Sequence, residues 1–388
     1  MIRKLVSAVL PSVLSLSLML TGCGSSTKTA SGDAVKPAET ATTPAAKEST
    51  AAKGPIVVGF IYTGPIGDGG YTYAHDQGRL QVEKELKDQG VKTIFKESVP
   101  ESQEVEKVMK DMIDQGAKII FATSFGYMDY VEKVAKEYPD VKFLHCSGYK
   151  MGTNLSNYFG RIEEPRYLSG IVAGLKTKTN KIGYVGAFDI PEVVRGINAF
   201  TLGVQSVNPN AKVQVTWTNT WYDPAKEKDA AKALLADGCD VIAQHQDTTG
   251  PQVAAEEKGV WAIGYNTDSR NAAPKAYMTA PVWNWGPYYV KQVKDLMNGS
   301  WKAESYWGHM KEGIVDLAPL TEVAPAEAKA KVEEVRKKML DGSFNVFAGP
   351  IKDQTGKVRI EAGKAMSDQE QLSNDWFVEG VIGKVGSK

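Results

Sequence analysis

The 388-residue sequence is poor in the residue types that most often carry catalysis and metal binding. It has three cysteines and four histidines, and the histidines show no metal-ligand spacing such as His-Glu-x-x-His. Its 46 basic and 46 acidic residues leave no net charge. Because no basic stripe stands out, nucleic acid is not an expected partner. We therefore expect no metal ion and no cofactor.

Long apolar runs are also scarce. One run, residues 5–20, follows two basic residues at the N-terminus. It is too short and too interrupted for a membrane-spanning helix, which needs about 20 apolar residues, and a basic start before such a run is typical of a signal peptide. The next segment, Leu20-Thr21-Gly22-Cys23, resembles the lipobox of bacterial lipoproteins. The resemblance implies a signal peptide over residues 1–22, lipidation of Cys23 and attachment to the extracytoplasmic face of the cell membrane.

The segment after Cys23 lacks the apolar residues that a fold needs. Residues 24–53 are small, polar or charged, with Val35 as their only large apolar residue. Such a segment cannot bury enough apolar surface to fold. We predict a disordered linker over residues 23–54, which as a flexible coil would reach on the order of 30 Å.

Two cysteines, Cys146 and Cys239, remain in the folded part. Outside the cell two cysteines could pair. Both adjoin predicted strands, however, and those strands belong to different predicted lobes. We therefore predict two free and mostly buried thiols.

From about residue 55 onward, apolar runs alternate with stretches of helical spacing. The predicted strands are 56–62, 92–96, 118–122, 141–144, 181–185, 212–217, 241–244, 260–263 and 277–280, and the clearest predicted helices are 71–87, 128–138, 192–205 and 224–236. This alternation implies βαβ units and parallel sheets, and near-continuous apolar runs suit strands that are covered on both faces. The sequence therefore predicts an α/β protein with two doubly wound lobes.

Aromatic residues mixed with amides and carboxylates follow six of these strands. The segments are Tyr62–Tyr73, Thr123–Tyr127, Asn219–Pro224, His245–Thr248, Gly264–Asp268 and Trp283–Trp285. Ligands of open α/β sheets bind outside the carboxyl ends of the strands. Aromatic faces stack on flat rings, and amides and carboxylates can pair with the edge of a ring. This chemistry favours a neutral heterocycle, with a sugar as the rival ligand.

The same segments also allow a second interpretation, in which the protein is a serine hydrolase. Ala122-Thr123-Ser124-Phe125-Gly126 approaches the Gly-x-Ser-x-Gly elbow, and Ser124, Asp223 or Asp240, and His245 follow in hydrolase order. The first glycine of the elbow is replaced by Ala122, and two similar lobes are not the hydrolase fold. We therefore expect a binding protein and not an enzyme.

Residues 55–350 resemble the BMP (basic membrane protein) family of ABC-transporter substrate-binding lipoproteins, and in particular its purine-binding branch. The resembling segments are Tyr62–Gly69, His75–Gln77, Thr123–Asp129, Glu192–Asn198, Asn219–Pro224, Gln244–Asp247, Trp285–Tyr289 and Met310–Gly313. The family implies a type I periplasmic-binding-protein fold, in which two Rossmann-like lobes with parallel sheets are joined by three hinge crossovers. The expected lobes are residues 55–158 with about 280–308, and residues 159–279 with about 309–388.

Two departures from the family pattern bear on the ligand. Nucleoside-binding members carry an Asp-x-Asp pair and a lysine that hold the ribose, whereas this chain has Asn266 and Asp268 at the pair and Trp283 at the lysine position. Loss of a ribose-binding charge should leave sugar hydroxyls unpaired. We therefore favour a free nucleobase, adenine above others, with a nucleoside or another small heterocycle or sugar as the alternative.

The site prediction follows from the strand ends and the resemblance together. Tyr71, Phe125 and Trp221 are predicted to sandwich the ring, with Tyr62 and Trp285 as further stacking candidates. Asp247 and Asn266 are predicted to pair with its edge, with Asp68 and Ser124 as lesser candidates. Lobe closure would bury the ligand and present a closed shape to a membrane permease. We expect a monomer.

Overall fold

The computed structural model describes residues 55–386. The predicted signal peptide, Cys23 and the whole of the predicted linker lie outside the described residues. Within residues 55–386, none of the helices combines the length and the apolar character that crossing a membrane requires.

The strands follow the predicted alternation closely in the first two-thirds of the chain. They are β1 (Ile56–Ile61), β2 (Val91–Lys96), β3 (Ala117–Ala122), β4 (Lys142–Cys146), β5 (Leu155–Gly160), β6 (Lys181–Gly186), β7 (Lys212–Trp217), β8 (Val241–His245), β9 (Trp261–Ile263), β10 (Tyr277–Thr279), β11 (Pro281–Trp283), β12 (Ser305–Gly308), β13 (Val315–Leu317), β14 (Ile351–Lys352), β15 (Val358–Ile360) and β16 (Val381–Ile382).

Helices connect most of the strands in the order that βαβ units require. They are α1 (Tyr71–Leu86), α2 (Glu104–Asp114), α3 (Met128–Glu137), α4 (Glu163–Lys176), α5 (Pro191–Val207), α6 (Pro224–Ala236), α7 (Gly250–Lys258), α8 (Gly286–Met297), α9 (Ala328–Leu340) and α10 (Asp368–Leu372). The predicted start of α6 is confirmed: Asp223 accepts a hydrogen bond from the Lys226 amide, and Pro224 occupies the first turn.

The first lobe is built on a six-stranded sheet with the order β12-β5-β4-β3-β1-β2, in which every neighbouring pair is parallel. Strand β1 shows why its apolar run is nearly continuous. Val58 and Phe60 pack into the apolar cluster that also holds α1 and α8, whereas Val57 and Ile61 pack on the opposite face with α2 and α3. Both faces of the strand are therefore buried.

The second lobe repeats this plan with a six-stranded parallel sheet of order β10-β9-β8-β6-β7-β16. Helices α4 and α5 cover one face, and α6 and α7 cover the other. Helices α4 and α5 approach closely because Gly170 and Gly203 lie at their contact, where an added Cβ on either would collide with backbone carbonyl oxygens of the other helix. The predicted fold class, two parallel-sheet α/β lobes, is confirmed.

The chain crosses between the two sheets three times. The crossings follow β5, β10 and β12, and the last two run side by side as the antiparallel pair of β11 and β13. The first crossing follows Gly160, slightly beyond the predicted lobe boundary at residue 158. Residues that follow strands of both sheets line a common pocket.

The two cysteines of the described chain are free and buried, which confirms that prediction. Cys146 ends β4 in the first lobe, and Cys239 precedes β8 in the second. Burial raises the pKa of the Cys239 thiol to about 11.

Candidate ligand-binding site

A cavity of about 330 Å³ lies in the cleft between the lobes. Its lining residues come from strand ends of both sheets: Thr63, Tyr71, Ser124, Phe125 and Ser147 from the first lobe, and Glu192, Trp221, His245, Asp247 and Tyr265 from the second. This position is the one expected for a ligand of open α/β sheets.

Asp68 shapes the wall of the first lobe without lining the cavity. Its carboxylate accepts hydrogen bonds from the amides of Gly70 and Thr72, each at 2.8 Å, and of Tyr73 at 2.9 Å. Burial raises the pKa of Asp68, while these amides lower it. The carboxylate therefore holds the first turn of α1, which presents Tyr71 to the cavity.

Tyr71 is the main aromatic wall on this side. Its hydroxyl donates to Cys146 Sγ at 3.4 Å, and its ring meets the ring of His75 edge to face at 4.4 Å. Burial raises the pKa of the Tyr71 hydroxyl well above its ordinary value. The contacts with Cys146 and His75 therefore fix the position of the Tyr71 ring at the cavity.

Asp247 is a buried acid on the wall of the second lobe. It is 5% exposed, and burial raises its pKa well above the ordinary value, with the negative charges of Asp68 and Glu227 adding to the effect. The Asn266 amide acts in the opposite direction. A carboxyl group in this environment takes up a proton readily, so it can offer one donor and one acceptor to a ligand.

His245, Glu192 and Tyr265 form a second polar group on the same wall. His245 Nε2 lies 3.4 Å from Glu192 Oε1 and 3.3 Å from the Tyr265 hydroxyl. Burial, and then the positive charge of Arg166, lower the pKa of His245 to about 4. The Arg166 guanidinium lies 3.7 Å from the centroid of the Tyr265 ring. The imidazole is therefore neutral near pH 7, and its Nε2–H group can donate a hydrogen bond to the Glu192 carboxylate.

The lobes touch across the cleft, so the structure is a closed form. Thr267 Oγ1 of the second lobe donates to the Gly69 carbonyl oxygen of the first at 2.6 Å. The next residue, Gly70, lies so close to the Asp247 carbonyl oxygen that an added Cβ would collide with it. Glycine at position 70 is required by this approach.

The structure brings five of the nine predicted ligand residues to the cavity and places four elsewhere. The five are Tyr71, Ser124, Phe125, Trp221 and Asp247; the four are Tyr62, Asp68, Asn266 and Trp285. Tyr62 lies in the core, where its hydroxyl donates to Asp76 at 3.3 Å. Trp285 is stacked against His75 and Trp283, each at 4.5 Å between ring centroids.

Asn266 lies behind the cavity wall. Its Oδ1 accepts from Trp283 Nε1 at 3.0 Å, and its Nδ2 donates to the Gln246 carbonyl oxygen at 3.3 Å. The two residues that depart from the family's ribose-binding pattern are thus hydrogen-bonded to each other.

The sequence-based site omitted five lining residues, namely Thr63, Ser147, Glu192, His245 and Tyr265. Each follows or ends a strand of the two central sheets. Glu192 could have been found because it lies in the first turn of α5, the helix that follows β6.

The hydrolase arrangement is not assembled. Ser124 Oγ donates to Glu101, not to His245. Asp223 caps α6, and the Asp240 carboxylate accepts from Thr177 Oγ1 at 2.6 Å. Within residues 55–386 there is also no cluster of three or more histidine, cysteine or acidic side chains that could hold a metal ion.

A sequence model of the Bmp family, described as ABC transporter substrate-binding protein PnrA-like, matches residues 56–345. The chain belongs to this family. A purine-binding protein of Brucella abortus is 45% identical to this BMP-family protein over 330 residues, which cover 85% of this chain and 94% of the relative. A candidate ABC transporter glucose-binding protein of Haloferax volcanii is 37% identical over 331 residues, covering 84% and 81% of the two chains.

Solved structures share the fold at lower identity. A solute-binding protein of an ABC transporter system from Aeropyrum pernix superposes with a TM-score of 0.67 at 22% identity, over 76% of this chain and 94% of that one. The resemblance found in the sequence motifs is therefore confirmed. This BMP-family protein is a substrate-binding protein of ABC transport, which acts outside the cytoplasm, and not an enzyme.

Proposed function

We propose that the protein is a lipid-anchored receptor that captures a purine base, adenine above others, and delivers it to the permease of an ABC importer. One observation carries the proposal: the closed cavity combines aromatic rings with two acidic side chains. Among the described residues that line it, none is lysine or arginine. A neutral ring suits these walls, and an anionic ligand does not.

The aromatic residues support capture by stacking. Tyr71 and Phe125 come from one lobe and Trp221 from the other. Stacking on an aromatic side chain contributes about 1–3 kcal/mol per base. Because the rings belong to both lobes, they contact both faces of a flat ligand only after closure. A ligand that makes more contacts in the closed form than in the open form shifts the protein toward the closed form.

The environment of Asp247 favours adenine over guanine. Adenine presents an amino group beside a ring nitrogen, so it needs one acceptor and one donor. A protonated carboxyl group supplies both, and burial raises the pKa of Asp247 well above its ordinary value. The Watson–Crick edge of guanine presents adjacent N–H donors and would prefer the ionised form.

The partnered state of Asn266 and Trp283 supports a free base over a nucleoside. Both side chains are buried, and the hydrogen bond between them engages the groups that could have faced a sugar. A ribose placed against them would lose its own hydrogen bonds to water without replacement.

Two relatives with high coverage are named for different ligands, one for a purine and one for glucose. A sugar is therefore the second candidate. The hydroxyl groups of Thr63, Ser124 and Ser147 at the cavity are the feature that favours it.

Titration calorimetry with adenine, hypoxanthine, guanine, adenosine, inosine, ribose and glucose tests the proposal. We expect adenine to bind with the highest affinity. If adenosine binds far more tightly than adenine, the free-base assignment is wrong. If glucose binds and no purine does, the protein is a sugar receptor.

A further inference from the structure

One carboxylate outside the cavity contacts both lobes at the mouth of the cleft. Glu101 lies in the first lobe between β2 and α2. Its Oε1 accepts from Ser124 Oγ and from the Gly126 amide, the latter at 2.9 Å. Its Oε2 accepts from Trp221 Nε1 of the second lobe at 3.3 Å. A single side chain thus connects the loop after β3 to the indole that closes over the ligand.

The backbone around Glu101 is fixed to the first lobe. The Val99 amide donates to the Tyr62 carbonyl oxygen at 2.9 Å, and the Tyr127 hydroxyl donates to the Val99 carbonyl oxygen at 2.6 Å. Glu101 therefore holds a set position before the lobes meet.

Gly126 is the reason that the carboxylate can come so close to the loop after β3. An added Cβ at position 126 would collide with the carboxyl carbon of Glu101. A substitution at this glycine would displace the carboxylate without removing its charge.

We propose that Glu101 is a positioning residue for ligand capture. It fastens Trp221 to the first lobe and thereby holds the cleft closed. The ligand and Glu101 both contact the closed form selectively, so each slows reopening. The inference rests on the proposed function for its ligand, but the contact between the lobes is independent of what the ligand is.

The bond to Trp221 can be removed selectively. In Glu101→Gln the amide oxygen can still serve the two donors of the first lobe, while its NH₂ group faces the indole N–H and cannot accept from it. Trp221→Phe removes the indole N–H and keeps an aromatic face. Glu104→Gln, three residues further on the exposed first turn of α2, is the matched control because it removes the same charge.

The experiment is a double-mutant cycle on the dissociation rate of adenine, measured by stopped-flow fluorescence. We expect Glu101→Gln to raise the rate about three- to tenfold, the effect of one net hydrogen bond, and Glu104→Gln to leave it unchanged. Trp221→Phe should raise the dissociation rate less in the Glu101→Gln background than in the parent. The difference should equal the factor by which Glu101→Gln alone raises the rate. Gly126→Ala should act in the same direction as Glu101→Gln.

A dissociation rate unchanged in Glu101→Gln, or independent effects of the two substitutions, would overturn the proposal. The closed fraction of the ligand-free protein, measured by energy transfer between dyes on the two lobes, separates this result from failure of the proposed function. If no purine binds, a lower closed fraction in Glu101→Gln still supports the role of Glu101, and an unchanged fraction refutes it.

Discussion

Replacement of Asp247 by asparagine separates the two forms of this acid. An asparagine side chain has the donor and acceptor of a protonated carboxyl group, and asparagine pairs with the amino group and ring nitrogen of adenine. It has no ionised form. We therefore expect Asp247→Asn to keep adenine binding and to lose its dependence on pH.

The sign and size of the effect follow from the surroundings of Asp247. Its pKa is raised well above the ordinary value by burial and by Asp68 and Glu227. Above the raised pKa the parent protein must take up a proton to bind adenine, so its affinity should fall by up to about tenfold per pH unit. Guanine, which prefers the carboxylate, should show the opposite trend relative to adenine.

The same ionisation affects the stability of the ligand-free protein. Between the ordinary pKa of an aspartate, about 3.9, and the raised value, the native state binds more protons than the unfolded state. The free energy of unfolding therefore falls as pH rises through this window, by up to about 1.4 kcal/mol per pH unit from this group. Asp247→Asn should remove that slope and stabilise the ligand-free protein near neutral pH by about 1 kcal/mol.

Calorimetric titrations with adenine and guanine measure the pH dependence of affinity, and urea unfolding measures the pH dependence of stability. Both are carried out in mildly acidic to mildly alkaline buffers. Glu227→Gln is the comparison variant: it removes the titration of Glu227, whose pKa burial raises to about 7, and it also removes one of the charges that raise the pKa of Asp247. An adenine affinity that is constant with pH in the parent, or loss of adenine binding by Asp247→Asn at every pH, would refute the reasoning.

Three further predictions concern closure, stacking and attachment. Gly70→Ala should weaken ligand binding at least tenfold with little change in unfolding temperature, because its Cβ would meet the Asp247 carbonyl oxygen only in the closed form. Gly67→Ala is the control and should bind normally, because its Cβ would meet no atom within 4 Å. Trp221→Ala should lose about 1–3 kcal/mol of binding free energy in calorimetry, and unchanged affinity would remove it from the site. Cys23→Ala should abolish incorporation of labelled fatty acid and release the protein from membranes, and continued labelling would place the lipid elsewhere.

The sheets could be predicted from the sequence because their strands are buried on both faces. The run Ile56–Ile61 is apolar without interruption, and its bounds in the structure nearly match those predicted. The fifth strand, Leu155–Gly160, was missed because Ser156 and Asn157 interrupt its apolar character. Both side chains are buried beside Glu304 and Ser305 at the start of β12, where Ser156 Oγ accepts from the Glu304 amide at 3.0 Å. Such a contact between distant segments leaves no local signal.

The strand ends around the candidate cavity could be predicted from the sequence, but the predicted residues did not take the direction of each side chain into account. Alternation along β1 already places Tyr62 on the same face as Val58 and Phe60, toward the helices and away from the cleft. Trp285 precedes α8 and packs on His75 of α1. In both cases an aromatic residue at a strand end serves the core, because a helix packs over the end of the sheet at that point.

Asn266 and Trp283 lie behind the cavity wall and are hydrogen-bonded to each other. In this hydrogen bond, the buried amide oxygen of Asn266 and the indole N–H of Trp283 satisfy each other. Each alone would leave its partner unsatisfied, at a cost of about 1–3 kcal/mol. A change at one position alone, such as Trp283→Lys, should therefore destabilise the protein without creating a ribose site. The two departures act as a unit, and a change toward nucleosides would require that both positions change together.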